Sequence, residues 1–177
     1  MSDLTLVLMA GMPSTGKTTI ALALGRIFGW SVIDKDSLKS PLLTLGVSEE
    51  LAGSASYALL LEMTHDLLVQ QHLSVILDSP GRFLFVLERV QDMTEQVGAH
   101  LKIIYCIANR ELRNRRFLER VARPSQWMAN ADISDEMERQ MFEHLPIDTL
   151  VLDTSHQFEQ CVAEALVYLC SPLQSLL

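Results

Sequence analysis

Along the chain, short apolar runs alternate with longer stretches in which apolar residues recur every three to four positions. The runs at 4–10 (LTLVLMA), 31–34 (SVID), 74–78 (SVILD), 101–108 (LKIIYCIA) and 149–153 (TLVLD) read as strands. Several are almost continuously apolar, as parallel strands covered on both faces are. Helical spacing covers about 17–28, 49–71, 83–97, 111–120, 135–142 and 157–169. Gly29 and Gly98 follow two of these stretches as C-caps, and Ser134 before Asp135 and Glu136 reads as an N-cap with acids at the positive end of the dipole. The alternation predicts one α/β domain over residues 1–177, a parallel sheet flanked by helices with right-handed crossovers. Two connections exceed what a minimal unit needs. Residues 35–72 pass a turn at Pro41 and a long helix, while 110–145 carry an arginine-rich segment, Pro124 and a short helix. Insertions at such points wall the crevice at the carboxyl ends of the strands, so 35–72 is expected to bind a substrate and 110–145 to cover it.

Composition narrows the class. Of 177 residues 49% are apolar, enough for a buried core and too many for a disordered chain. No apolar run approaches the roughly 20 residues that span a bilayer. The first residues lack a basic region and lead straight into a glycine-rich loop, so no signal peptide is expected. The three cysteines, Cys106, Cys161 and Cys170, lie in apolar segments and read as reduced core residues of a cytoplasmic protein. The net charge of −8 argues against a broad nucleic-acid or membrane surface. That total hides a concentration of the opposite sign, because Arg110, Arg113, Arg115, Arg116, Arg120 and Arg123 stand against only Glu111 and Glu119 between positions 110 and 123.

Residues 11–18, GMPSTGKT, fit G-x-x-x-x-G-K-[ST] in full, directly after a strand and before a helix. The glycines let the backbone turn so that successive N–H groups converge on an anion, and the helix N-terminus adds donors and partial positive charge. Lys17 can reach the β- and γ-phosphates, and the Thr18 hydroxyl is placed for Mg²⁺. The chain is therefore expected to bind ATP through Gly11, Met12, Pro13, Ser14, Thr15, Gly16, Lys17, Thr18 and Thr19.

The stretch GMPSTGKTTIALALG resembles the P-loop kinases of the nucleotide-kinase-like group. It is similar in particular to small AAA-type bacterial kinases and to the branch with polynucleotide 5′-kinases and chloramphenicol phosphotransferase. IDKDSLKSP, VILDS, ELRNRRFLER, QMFEHLP and LVLDTS extend the likeness in order along the chain. The resemblance implies a P-loop NTPase fold with a five-stranded parallel sheet, a helical substrate-binding insertion and an arginine-rich lid.

It also implies roles. In the resembling kinases an aspartate after the second strand serves as general base, and the frame of IDKDSLK puts Asp36 there, with Asp34 as the alternative. Lys39 falls where polynucleotide kinases carry an arginine for an acceptor phosphate; as a point charge without the bidentate fork it suits that task less well. Asp78 ends a strand resembling a Walker B strand and would hold Mg²⁺ with Thr18. Arg82 can face the same crevice as a substrate-binding residue. Arginines of a closing lid stabilise charge on a transferring phosphoryl group. Arg113, Arg116 and Arg120 share a helical face, with Arg116 and Arg120 favoured for catalysis and Arg116 also for ATP. Trp127 could stack on a base or pack, and Asp153-Thr154 resembles the family's stretch beside the adenine. Together these features predict an ATP- and Mg²⁺-dependent kinase acting on a hydroxyl of a small molecule. The alternatives are a polynucleotide 5′-hydroxyl kinase and a nucleotide-dependent switch without an acceptor.

Overall fold

In the computed structural model, which describes residues 4–80, 84–121, 123–126 and 143–171, the apolar runs become a single all-parallel sheet. Leu6, Val7, Leu8, Met9 and Ala10 are at most 2% exposed, and burial that complete requires strands on both sides and helices on both faces. The strand holding them, β1 (Thr5–Gly11), is the middle one. The order is β2 (Ser31–Asp34), β3 (Val75–Asp78), β1, β4 (His100–Ile107), β5 (Leu150–Asp153).

Period-two alternation divides the core between the faces. Leu6 and Leu8 join Ile33, Leu77 and Ile103 beneath α3 (Glu49–His65) and α4 (Leu84–Val97), which contribute Leu60 and Val90. Val7 and Met9 join Ile76, Ile104 and Leu152 beneath α1 (Lys17–Phe28), which contributes Leu24, and beneath the last helix, which contributes Ala165.

Three expectations change. The turn expected at Pro41 is instead a helix, α2 (Lys35–Thr44), with Pro41 inside it. Asp34 caps α2 by accepting the Asp36 N–H at 2.9 Å, which fixes where the helix begins. The long helix expected to reach residue 71 stops as α-helix at His65 and continues as a π-helical turn over Asp66–Gln70, beyond which His72 has φ 54°. Of the cysteines, Cys106 and Cys161 are buried, but Cys170 is exposed; it closes the last helix, α6 (Phe158–Cys170), following α5 (Arg110–Glu119). The helix expected at 135–142 lies outside the described residues. Among the described residues no helix is long and apolar enough to cross a membrane.

Two helical glycines make opposite demands. A Cβ on Gly25 in α1 would sit 2.6 Å from Val32 Cγ2 and 3.0 Å from the Trp30 carbonyl, where α1 packs against β2. A Cβ on Gly53 in α3 would meet nothing within 4 Å. Gly25→Ala should therefore destabilise by about 1–3 kcal/mol through overpacking, while Gly53→Ala should stabilise by about 0.5–1 kcal/mol through helix propensity. Urea unfolding of the two variants checks this, and equal effects of one sign would refute the packing difference.

Candidate active site

Register brings the chemistry to one edge. Asp78 pairs with Met9 on one side and with Asp34 on the other, so the ends of β1, β2 and β3 lie together at the carboxyl edge of the sheet. There the chain turns through the P-loop. Gly11 has φ 124°, and a Cβ on it would lie 2.2 Å from the Cys106 carbonyl oxygen, so no other residue fits. Gly16, in the left-handed region at φ 86°, caps α1 without a side-chain bond, leaving the first N–H groups of the helix to an anion. The Met12 carbonyl accepts from Thr15 Oγ1 and from Lys17 Nζ, both at 2.8 Å.

The loop forms one side of a cavity of about 830 Å³. Gly11, Met12, Pro13, Ser14, Gly16, Lys17, Thr18 and Thr19 line it. Thr15 is fully buried behind it. Asp78, Asp36, Lys39, Arg116 and Arg120 also line the cavity, so the expected residues on described positions converge on one space. Arg82 and Trp127 lie outside the described residues.

Burial shapes the charges nearest the loop. Lys17 is pulled below its ordinary value by removal from water, with Asp78 pulling the other way. The same desolvation pushes Asp78 up to about 6, against the attraction of Lys17 and a bond donated by Thr18 Oγ1. A hydroxyl and a buried carboxylate side by side are hard oxygen donors. They fit Mg²⁺, which keeps several waters and takes phosphate oxygens in preference to an all-protein cage. Among the described residues no three His, Cys, Asp or Glu side chains form such a cage.

The two aspartates after β2 differ in their commitments. Asp34 is spent on structure: besides the cap, its Oδ2 accepts from Ser37 Oγ at 2.7 Å and from Arg123 Nη1 at 2.5 Å. Asp36 contacts Lys35 Nζ at 3.1 Å and Gln126 Nε2 at 3.4 Å and keeps lone pairs open. Burial raises its proton affinity, but the charge and hydrogen bond of Lys35, with bonds from Gln126 and Ser125, outweigh it, so Asp36 lies below the usual carboxylate range. Lys39 is buried and paired with Glu49.

The arginines of the segment differ in their contacts. Arg116 donates to Thr154 Oγ1 at 2.9 Å and to the Thr154 carbonyl at 2.7 Å. Thr154 Oγ1 in turn donates to the Thr15 carbonyl at 2.6 Å, so Arg116 is tied through β5 to the back of the P-loop. Arg120, just past the end of α5, stacks on Phe117 at 4.7 Å. Its Nε is buried without a hydrogen-bond partner among the described residues, and burial lowers its proton affinity while Asp36 acts oppositely. Arg113 is not among the residues lining the cavity. Sequence reasoning missed Arg123, Ser125, Gln126 and Glu49, all of which line it. A lone Arg-Pro-Ser-Gln stretch has no period, and its meaning comes from contacts some 85–90 positions away in the chain.

Comparison with known proteins agrees with this architecture. No curated protein matches the chain. A chain of Chloroflexus aurantiacus put forward as a kinase is similar in structure, with TM-score 0.69 and 23% identity over 95% of this chain and 96% of that one. A sugar kinase from Janibacter sp. HTCC2649 has TM-score 0.62 and 19% identity over 94% of each chain. The APS kinase CysC of Mycobacterium tuberculosis, in complex with AMPPNP and APS, has TM-score 0.63 and 18% identity over 96% of this chain and 99% of that one. At these identities what is shared is the fold. A family model described as an AAA domain matches residues 6–157, nearly the whole sheet with its helices and cavity, and the chain belongs to that AAA-domain family.

Proposed function

We propose that this protein is an ATP- and Mg²⁺-dependent phosphotransferase acting on a hydroxyl of a small, uncharged acceptor. The observation that carries the reading is the division of charge along the cavity. Beside the P-loop, Lys17, Arg116 and Arg120 have no carboxylate within ion-pair distance among the described residues. Beside α2 the cations among the described residues are matched: Lys35 with Asp36, Lys39 with Glu49, Arg123 with Asp34. Unmatched cations suit the phosphates of ATP, whereas the described cations at the matched end are already held by carboxylates and suit an uncharged acceptor. Similarity to a sugar kinase and to an APS kinase supports the reaction class without choosing the acceptor.

On this reading the P-loop amides and Lys17 hold the phosphates, and Arg120 faces charge developing on the transferred group. Arg116 secures the nucleotide side through Thr154. The acceptor hydroxyl lies against Asp36, which takes its proton as oxygen bonds to the γ-phosphorus and ADP departs with the electrons of the broken bond. Thr18 and Asp78 would hold Mg²⁺, which when bound would neutralise charge on the phosphate oxygens. Residues 35–72 serve as the acceptor wall and 110–145 as the lid. The cytoplasm is the proposed location, in keeping with unpaired Cys106 and Cys161.

Assay of ADP release should find acceptor-dependent turnover with sugars, polyols or nucleosides and little with their phosphorylated or carboxylated counterparts. Asp36→Asn should lower transfer by about 10²–10⁴-fold while ATP affinity stays within roughly twofold. Phosphorylation of an oligonucleotide 5′-hydroxyl, with affinity falling steeply as salt rises, would establish the polynucleotide reading instead. Nucleotide hydrolysis indifferent to every acceptor would favour a switch.

Keeping Asp78 charged carries a stability cost. The folded chain retains a proton at Asp78 that the unfolded chain releases near 3.8, so this contribution is full below that value and is lost as pH rises through about 6. At pH 8 the loss is on the order of 2–3 kcal/mol, with the attraction of Lys17 already included. Without Mg²⁺ and nucleotide, Asp78→Asn should therefore melt several degrees above the natural chain at pH 8, with the gap narrowing as pH falls from about 6 toward 3.8. A gap independent of pH would contradict the assignment.

A further inference from the structure

The short 3₁₀ turn Pro124–Gln126 lies within the segment proposed as the lid, and its Ser125 and Gln126 line the cavity. Arg123 Nη1 donates to Asp34 Oδ2 at 2.5 Å and to Ser37 Oγ at 2.6 Å. Ser125 Oγ lies 2.9 Å from Ser40 Oγ and donates to the Asp36 carbonyl at 3.3 Å. These contacts dock the turn on the start of α2.

Gln126 stands at the centre of this arrangement. Its backbone carbonyl accepts from Arg120 Nη2 at 3.1 Å, its Oε1 accepts from the Arg123 N–H at 3.2 Å, and its Nε2 donates to Asp36 Oδ2 at 3.4 Å. The Arg123 bond settles the orientation of the carboxamide, because a flipped amide would turn its oxygen toward a carboxylate and face N–H against N–H. Lys35 holds the other Asp36 oxygen, so the two donors together fix the plane of the carboxylate.

We propose that Gln126 is a positioning residue, which orients the Asp36 carboxylate and ties that orientation to Arg120. A neutral amide suits the task. A cation there would neutralise the carboxylate and weaken it as a base, and an apolar residue would leave it free to rotate. The proposal rests on the reading of Asp36 as the base, but the contact can be tested without an acceptor.

The charged groups bearing on Asp36 are Lys35 and Asp34 on its own segment, Lys17 beneath the P-loop, Asp78 on β3, and Arg120 and Arg123 on the opposite wall. None is altered by Gln126→Leu. Asp36 should then titrate higher by roughly half a unit, because the charged form loses a donor. Gln126→Glu retains an acceptor for the Arg123 N–H but sets a like charge beside Asp36, and it should raise the midpoint further. The readout is the ¹³C carboxyl titration of Asp36 in the full chain, assigned by its loss in Asp36→Asn, with AMPPNP affinity as a check on the fold. A midpoint unchanged in both variants overturns the proposal. A shift in both supports it, and if Asp36→Asn then leaves phosphoryl transfer intact, the contact stands while the base reading falls.

Discussion

A lysine and an aspartate are held out of water at the carboxyl edge of this sheet, and the surrounding geometry exists to make that tolerable. Lys17 is driven toward losing its proton and Asp78 toward keeping one, each restrained by the other's charge. Neither is fully compensated, since Asp78 still rests near 6. On the proposed reading, a polyanion over the lysine and a cation over the carboxylate would supply the remaining compensation. Burial of β1 on both faces sets this up, because the chain leaving it turns at once into a loop whose left-handed glycines aim backbone N–H groups at the same place.

From that point charge is sorted by distance along the cavity. Cations near the P-loop are bonded to carbonyls and a hydroxyl, interactions that a phosphate can replace. Those near α2 are bonded to carboxylates, which hold them firmly and neutralise them. This resolves an apparent conflict in the composition, since the acidic excess of the chain and its cluster of arginines meet in one cavity without cancelling everywhere. Thr154 belongs to the same arrangement: one hydroxyl joins the P-loop carbonyl of Thr15 to Arg116, so the arginine wall and the phosphate loop are positioned by a common strand end.

The strands, α1 and the strand-end acids were legible because each is a local pattern: continuous apolar runs, glycines at fixed offsets, a carboxylate after two or three apolar residues. Helix α2 was not, because Pro41 reads as a breaker, and the side-chain cap at Asp34 that starts the helix shows only once the strand end is in place. The frame of IDKDSLK favours Asp36 over Asp34, but it does not show that Asp34 is held by Arg123, 89 positions away. The expected face of Arg113, Arg116 and Arg120 assumed a helix continuing through position 120, yet α5 ends at Glu119. Arginine spacing predicts a face only while the helix lasts.

That early end has a consequence for how the two sides of the cavity are joined. Arg120 is extended, at φ −76° and ψ 147°, and Pro124 disfavours helical conformation in the residue before it. Beyond the helix end, Arg123 bonds Asp34 and Gln126 bonds Asp36. Arg116, on the last full turn, remains bonded to Thr154. A short stretch of chain thus touches the nucleotide side with one arginine and the α2 side with another, with Arg120 between them. Arg120 Nη2 bonds the Gln126 carbonyl while Gln126 Nε2 bonds Asp36, so one residue links the arginine to the carboxylate.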